Sequence, residues 1–211
     1  MYQTVTIDKQ KLELCSKFAQ NCSIGGKSHI RKGEDRKENL SFDNLIGQMG
    51  TLAGCIFLLG EEKGVSEYIK SREKADKTPF IGDGGRDLVG CDIDIKCSYM
   101  RGSQNPGTYN FLIRPRERHP NWVYLQTLAQ KNNEEFIIHI VGWVSDNDLP
   151  ESPESTGVFS GAFRIPVVKM KQFPIDCPEI SFENGSKLRV VGGRVEKIRG
   201  MNSMAVILDD K

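Results

Sequence analysis

The sequence has no C-x-x-C pair, no internal repeat, little net charge and no long uninterrupted apolar run, and each absence narrows what the chain can be. Its six cysteines, Cys15, Cys22, Cys55, Cys91, Cys97 and Cys177, lie singly, which excludes a zinc site of the usual spacing. Several fall on apolar faces and read as reduced core residues rather than a disulfide framework. The three histidines, His29, His119 and His139, are too scattered for a metal cluster, and His139, inside FIIHIVGW, reads as a satisfied core-strand residue. A formal charge of +1 gives no bulk attraction to nucleic acid. No apolar stretch approaches bilayer length, and MYQTVTIDKQ lacks the apolar core of a signal peptide. The expectation is therefore a cytoplasmic protein with no membrane partner.

What is present is ordinary globular composition, with 38% hydrophobic and 27% charged residues over 211 positions, enough for one sizeable domain. Residues 1–40 read as an N-terminal helix, capped by Asp8 and running through LELCSKFAQ, followed by a basic loop. Residues 41–170 read as the core. Within it Ser41 offers a cap for a helix over FDNLIGQMGTLAGCIFLLG, with Gly47 and Gly50 marking close packing against another backbone. A polar helix follows at about Val65 to Lys74. Strands are expected at Tyr109 to Ile113, Trp122 to Ala129 and Glu135 to Val144, the last apolar on both faces as befits the middle of a covered sheet. Ser145 to Gly161 reads as an acidic surface loop, and FRIPVVKMKQFP as an extended segment on the sheet edge. Residues 171–211 read as a β extension, with strands around the Gly-Gly of LRVVGGRV. Two basic clusters, Lys27 to Lys37 and Lys187 to Arg199, can track phosphates or serve as plain solvated surface.

The most informative stretch is Ile81 to Met100, IGDGGRDLVGCDIDIKCSYM. Side chains alternate along a strand, so Asp92, Asp94 and Lys96 share one face, and Ile93, Ile95 and Cys97 the other: a half-buried strand. Arg86-Asp87-Leu88-Val89 can pair with it across a turn at Gly90, which sets Asp87 opposite Asp94. Two carboxylates so placed repel unless a cation lies between them. One or two carboxylates completed by water or phosphate suit Mg²⁺. The Lys96 ammonium can then orient or help deprotonate an attacking water and offset charge on a phosphate. A surface hairpin with cross-strand Asp and Lys pairs is the competing structural reading.

GDGGRDLVGCDIDIKCS resembles the active-site hairpin of the PD-(D/E)xK nuclease superfamily. The resemblance implies an α/β fold: a restriction-endonuclease-like core with a mixed central β-sheet flanked by helices. It implies that Asp87 and Asp94 bind Mg²⁺, with Mn²⁺ substituting, together with the backbone carbonyl of Ile95, and that Lys96 is catalytic. No Pro precedes Asp87 and its step to Asp94 is short, so Asp83 is a rival for the first position. The bare pattern Asp/Glu-x-Lys occurs four times, at Asp35, Glu61, Asp94 and Asp209, and only Asp94 follows a Gly-rich turn holding another Asp. The helix that often supplies a Glu to the site has Gln48 and Thr51 instead. Gln48 can hold a metal-bound water, or lie simply on the helix surface.

These readings lead to a Mg²⁺-dependent endonuclease acting on DNA, of restriction or phage type. Ser98 is a further phosphate contact, and Arg86, Arg101, Arg114 and Arg116 grip the backbone. A palindromic target would call for a homodimer. The alternative is an inactive module that binds nucleic acid or protein on the same fold. A third reading, an acidic Ca²⁺ loop, lacks the regular carboxylate spacing of an EF-hand.

Overall fold

The computed structural model describes residues 2–24, 40–77, 87–88 and 91–172, and the backbone of three later strands at 180–181, 187–191 and 204–207. Strand β1 (Gln3–Ile7) leads into helix α1 (Lys9–Ile24). Asp8 caps α1 as expected, its Oδ1 accepting the Lys11 N–H at 2.9 Å. Helix α2 (Leu40–Leu59) begins one residue before Ser41, so Ser41 lies inside the helix and is not its cap. Gly60, at φ +80°, turns the chain directly into helix α3 (Glu61–Lys77), longer at both ends than the apolar pattern suggested.

Helix α2 is the central element of the helical layer. Ile46, Met49, Leu52, Ala53, Cys55, Ile56 and Leu58 are all buried, more than one stripe can hold, because the helix has α1 and α3 beside it and the sheet beneath. Its segment Ser41–Leu59 has the length and apolarity of a membrane span, contrary to the expectation from sequence, but 61% of it is buried within the fold. The helix settles onto the sheet at glycines one turn apart. A Cβ on Gly50 would come within 2.3 Å of Cys97 Cβ, and one on Gly54 within 2.7 Å of Ile95 Cδ1. The close partners are side chains of the sheet rather than backbone, and a Cβ added at Gly47 would meet nothing within 4 Å.

The main sheet has the order β1-β5-β4-β2, with β2 at Ile93–Met100, β4 at Val123–Asn132 and β5 at Glu135–Ser145. Strand β5 is antiparallel to both neighbours, while β2 runs parallel to β4, so the sheet is mixed and the protein is α/β. A parallel pair needs a crossover. Here it is made by strand β3 (Asn110–Ile113) and two 3-10 turns, so β3 leaves the main sheet and pairs with β6 (Phe163–Pro166). The alternation of strand side chains then yields two cores. Val123, Leu125, Ile138 and Ile140 face the three helices. Tyr124, Leu128, Val141 and Val144 face the β3–β6 ribbon, with Phe111, Phe163 and Val167. The helices thus cover one face of the sheet and the ribbon covers the other.

The start of β2 is buried on both faces, with Asp94 only 5% exposed, which corrects the expected solvent-facing charge there, while Lys96 to Tyr99 are half-buried. His139 on β5 is half-buried and hydrogen-bonded through Nε2 to Gln130 Oε1 at 2.9 Å. The segment after β6 bridges back to the main sheet at Trp143 and Lys171. Strands β7 (Ile180–Ser181), β8 (Lys187–Val191) and β9 (Met204–Ile207) form a separate sheet. Because β8 and β9 are parallel, no tight Gly-Gly hairpin joins them.

Candidate active site

Strand β2 is an edge strand, and alternate residues turn their backbone groups toward β4 or away from it. Asp92 and Lys96 turn inward: the Asp92 carbonyl accepts from Val123 N–H at 3.0 Å and the Lys96 carbonyl from Thr127 Oγ1 at 3.1 Å. Ile93 and Ile95 turn outward, and Asp87 meets them there. Its N–H donates to the Ile93 carbonyl at 3.1 Å, and its Oδ2 accepts from Ile95 N–H at 2.6 Å. Asp87 and Leu88 form a bend rather than a strand arm, closed by Cys91 N–H donating to the Leu88 carbonyl at 3.1 Å. Asp87 thereby stands beside Asp94, and the Ile95 carbonyl, directed like its own N–H, opens on the same edge.

The two carboxylates nonetheless look to different sides. Asp87 Oδ1 accepts from Arg72 Nη2 of α3 at 2.9 Å and from Thr51 Oγ1 of α2 at 3.2 Å, on the helix side. Asp94 Oδ2 is 2.9 Å from Lys96 Nζ, on the ribbon side, and Glu117 Oε2 lies 3.7 Å from the same ammonium. Burial pushes the Asp94 carboxyl up to about 7, opposed by Lys96 and reinforced by Asp87. Burial alone would lower the Lys96 ammonium, but Asp94, Glu117 and Asp87 hold it above its ordinary value. Lys96 is therefore a firm cation, suited to balancing charge and unsuited to taking a proton from water.

Gln48 is buried rather than on the helix surface, and its Oε1 accepts from the Tyr68 hydroxyl at 2.8 Å. Ser98 is half-buried on the same strand face as Lys96. Arg114 comes close to the site: Glu117 Oε2 accepts its N–H at 3.2 Å, and its Nη1 is 3.7 Å from Glu117 Oε1. Arg116 is exposed on the same turn. Arg101 is exposed past the far end of β2, about 23 Å along the strand from Asp94. Asp83 and Arg86, the Gly90 turn, the Lys27 to Lys37 cluster, and the side chains of the Lys187 to Arg199 cluster lie outside the described residues.

Sequence reasoning missed Arg72 and Glu117. The first had a signal: Gly64, Tyr68, Ser71 and Arg72 fall at helical spacing on the inward stripe of α3, and all are buried. A stripe of polar residues at core positions asks for a buried partner, and Asp87 is that partner. Glu117 was legible only as the end of a capped turn, Arg114-Pro115-Arg116-Glu117.

A divalent cation can be weighed against these donors. Among the described residues no three His, Cys, Asp or Glu side chains converge on one point. Two carboxylates and a carbonyl remain, all hard oxygens, which suits Mg²⁺ with water completing its shell. Asp87 pairs with Arg72, Asp94 with Lys96, and Glu117 with both Lys96 and Arg114, and burial is the first cause of the raised Asp94 carboxyl. These are the oxygens a hard cation would meet at this edge. No protein-family model, curated protein or solved structure matches this chain.

Proposed function

We propose that the protein is a metal-dependent endonuclease that hydrolyses DNA phosphodiester bonds. The observation that carries this reading is the grouping at one strand edge of Asp87, the Ile95 carbonyl, and the buried Asp94–Lys96 pair. Asp94, Ile95 and the Oδ2 of Asp87 would hold Mg²⁺ or Mn²⁺. When bound, the ion supplies polarisation of a phosphoryl oxygen and a more acidic water.

The residues of the chain do the rest. Lys96, kept protonated by its acidic neighbours, offsets the charge that builds on the phosphate oxygens during in-line attack. Arg114 and Arg116, on the turn that carries Glu117, fix the flanking phosphates, and Ser98 offers a hydroxyl to the next one along. Arg72 neutralises Asp87 from behind and holds α3 against the site.

The test is to incubate the purified chain with supercoiled plasmid and Mg²⁺ or Mn²⁺, beside the Lys96→Ala variant. Nicking or linearisation that falls by about a hundredfold in the variant supports the reading. Equal cleavage by both proteins removes it.

One observation favours a second reading, a module that binds nucleic acid or protein without cutting. Asp87 already receives three hydrogen bonds, from Arg72, Thr51 and Ile95, and so is neutralised without a metal. On that reading the plasmid is retained in a gel shift, and neither Mg²⁺ nor Lys96→Ala alters its topology.

A further inference from the structure

Lys96 has two acidic neighbours, and only one of them belongs to the hairpin. Its Nζ lies 2.9 Å from Asp94 Oδ2 and 3.7 Å from Glu117 Oε2. Glu117 is not a loosely tethered surface acid. Its Oε2 accepts the Arg114 N–H at 3.2 Å and its Oε1 faces the Arg114 guanidinium at 3.7 Å, so the turn Pro115–Glu117 fixes the carboxylate over the site. Lys96 is itself confined, with its side chain 27% exposed.

A divalent cation bound by the Asp94 carboxylate would sit close to the ammonium that its Oδ2 already holds. Each would repel the other, and the ammonium would have to swing into water or keep the metal out. A second carboxylate within reach removes that conflict.

We propose that Glu117 is a positioning residue that provides the alternative berth for Lys96. When Asp94 turns to a divalent cation, the ammonium shifts to Glu117 and stays beside the phosphate instead of competing for the metal. This rests on the metal-site reading of Asp94 given above. The movement is short, since the ammonium already lies between the two carboxylates.

The test uses the full chain and Mn²⁺ as probe, with affinity followed by calorimetry or water-proton relaxation. Glu117→Gln removes the charge and keeps an oxygen for the Arg114 N–H, so the turn persists. It should weaken Mn²⁺ binding about tenfold when Lys96 is present, within the range of coupled neighbours. In a Lys96→Met background, where no ammonium needs a berth, the same change should cost about threefold or less, as for a partly exposed charge. An equal loss in both backgrounds overturns the berth and leaves the metal site standing. Absence of Mn²⁺ binding by the unaltered chain overturns both. A metal-free check is the crystal structure of Asp94→Asn, in which Lys96 Nζ should close on Glu117 Oε2 to about 2.8 Å. An ammonium turned out to solvent there also overturns the proposal.

Discussion

Asp87 and Asp94 are chemically alike and adjacent in space, yet their surroundings assign them different work. Asp87 is held by a guanidinium, a hydroxyl and a backbone N–H. Asp94 shares one ammonium with Glu117. The difference predicts opposite outcomes of substitution. Arg72→Met leaves a buried carboxylate without its cation and should cost about 3 kcal/mol, read from urea unfolding. At Asp94 the folded-state carboxyl is raised from 3.8 to about 7, so its ionisation opposes folding, and stability should fall as pH rises from about 4 to about 7. Above that window the penalty is constant. Thermal melts across the window should show this decline in the native chain and a flatter profile in Asp94→Asn. An equally steep profile in the variant would assign the decline to another group.

At the scale of elements, α2 lies against the sheet because two of its positions carry no side chain. Gly50→Ala would push a methyl to within 2.3 Å of Cys97 Cβ and 2.7 Å of Thr127 Oγ1, both fixed by β2 and β4, and should destabilise by about 1–3 kcal/mol. Gly47→Ala meets nothing within 4 Å and should instead stabilise by about 0.5–1 kcal/mol through helix propensity. The pair separates packing from propensity within one helix, and chemical denaturation of both variants measures it. The same geometry links the helices to the site. With α2 seated on Cys97 and Ile95, Thr51 reaches Asp87, and α3, packed against α2 at Gly64, brings Arg72 to the same Oδ1.

For the whole molecule, a cation that binds only the folded chain must stabilise it. At a hundred times its dissociation constant Mg²⁺ should add about 2.7 kcal/mol, seen as a raised melting temperature that Asp94→Ala abolishes. A melting temperature unmoved by Mg²⁺ would speak for the non-cleaving reading. The central site lies where the helix layer, the main sheet and the β3–β6 ribbon approach one strand, so its parts come from helices α2 and α3, the bend and strand at Asp87 to Lys96, and the turn after β3: Thr51, Arg72, Asp87, Asp94 with Lys96, and Glu117.

The sequence by itself determined the periodic elements: α1 with its Asp8 cap, the apolar strand around His139, and the face shared by Asp94 and Lys96. These follow from alternation, helical spacing and local hydrogen bonding, all short-range. Tertiary structure decided whatever depended on partners distant in the chain. It placed β3 on the far face, because a parallel β2–β4 pair requires a crossover. It buried Gln48 and gave Asp87 to Arg72, because a charge at a core position is satisfied only by what the fold brings to it. It set Glu117 beside Lys96, a contact between side chains 21 positions apart that no local pattern encodes.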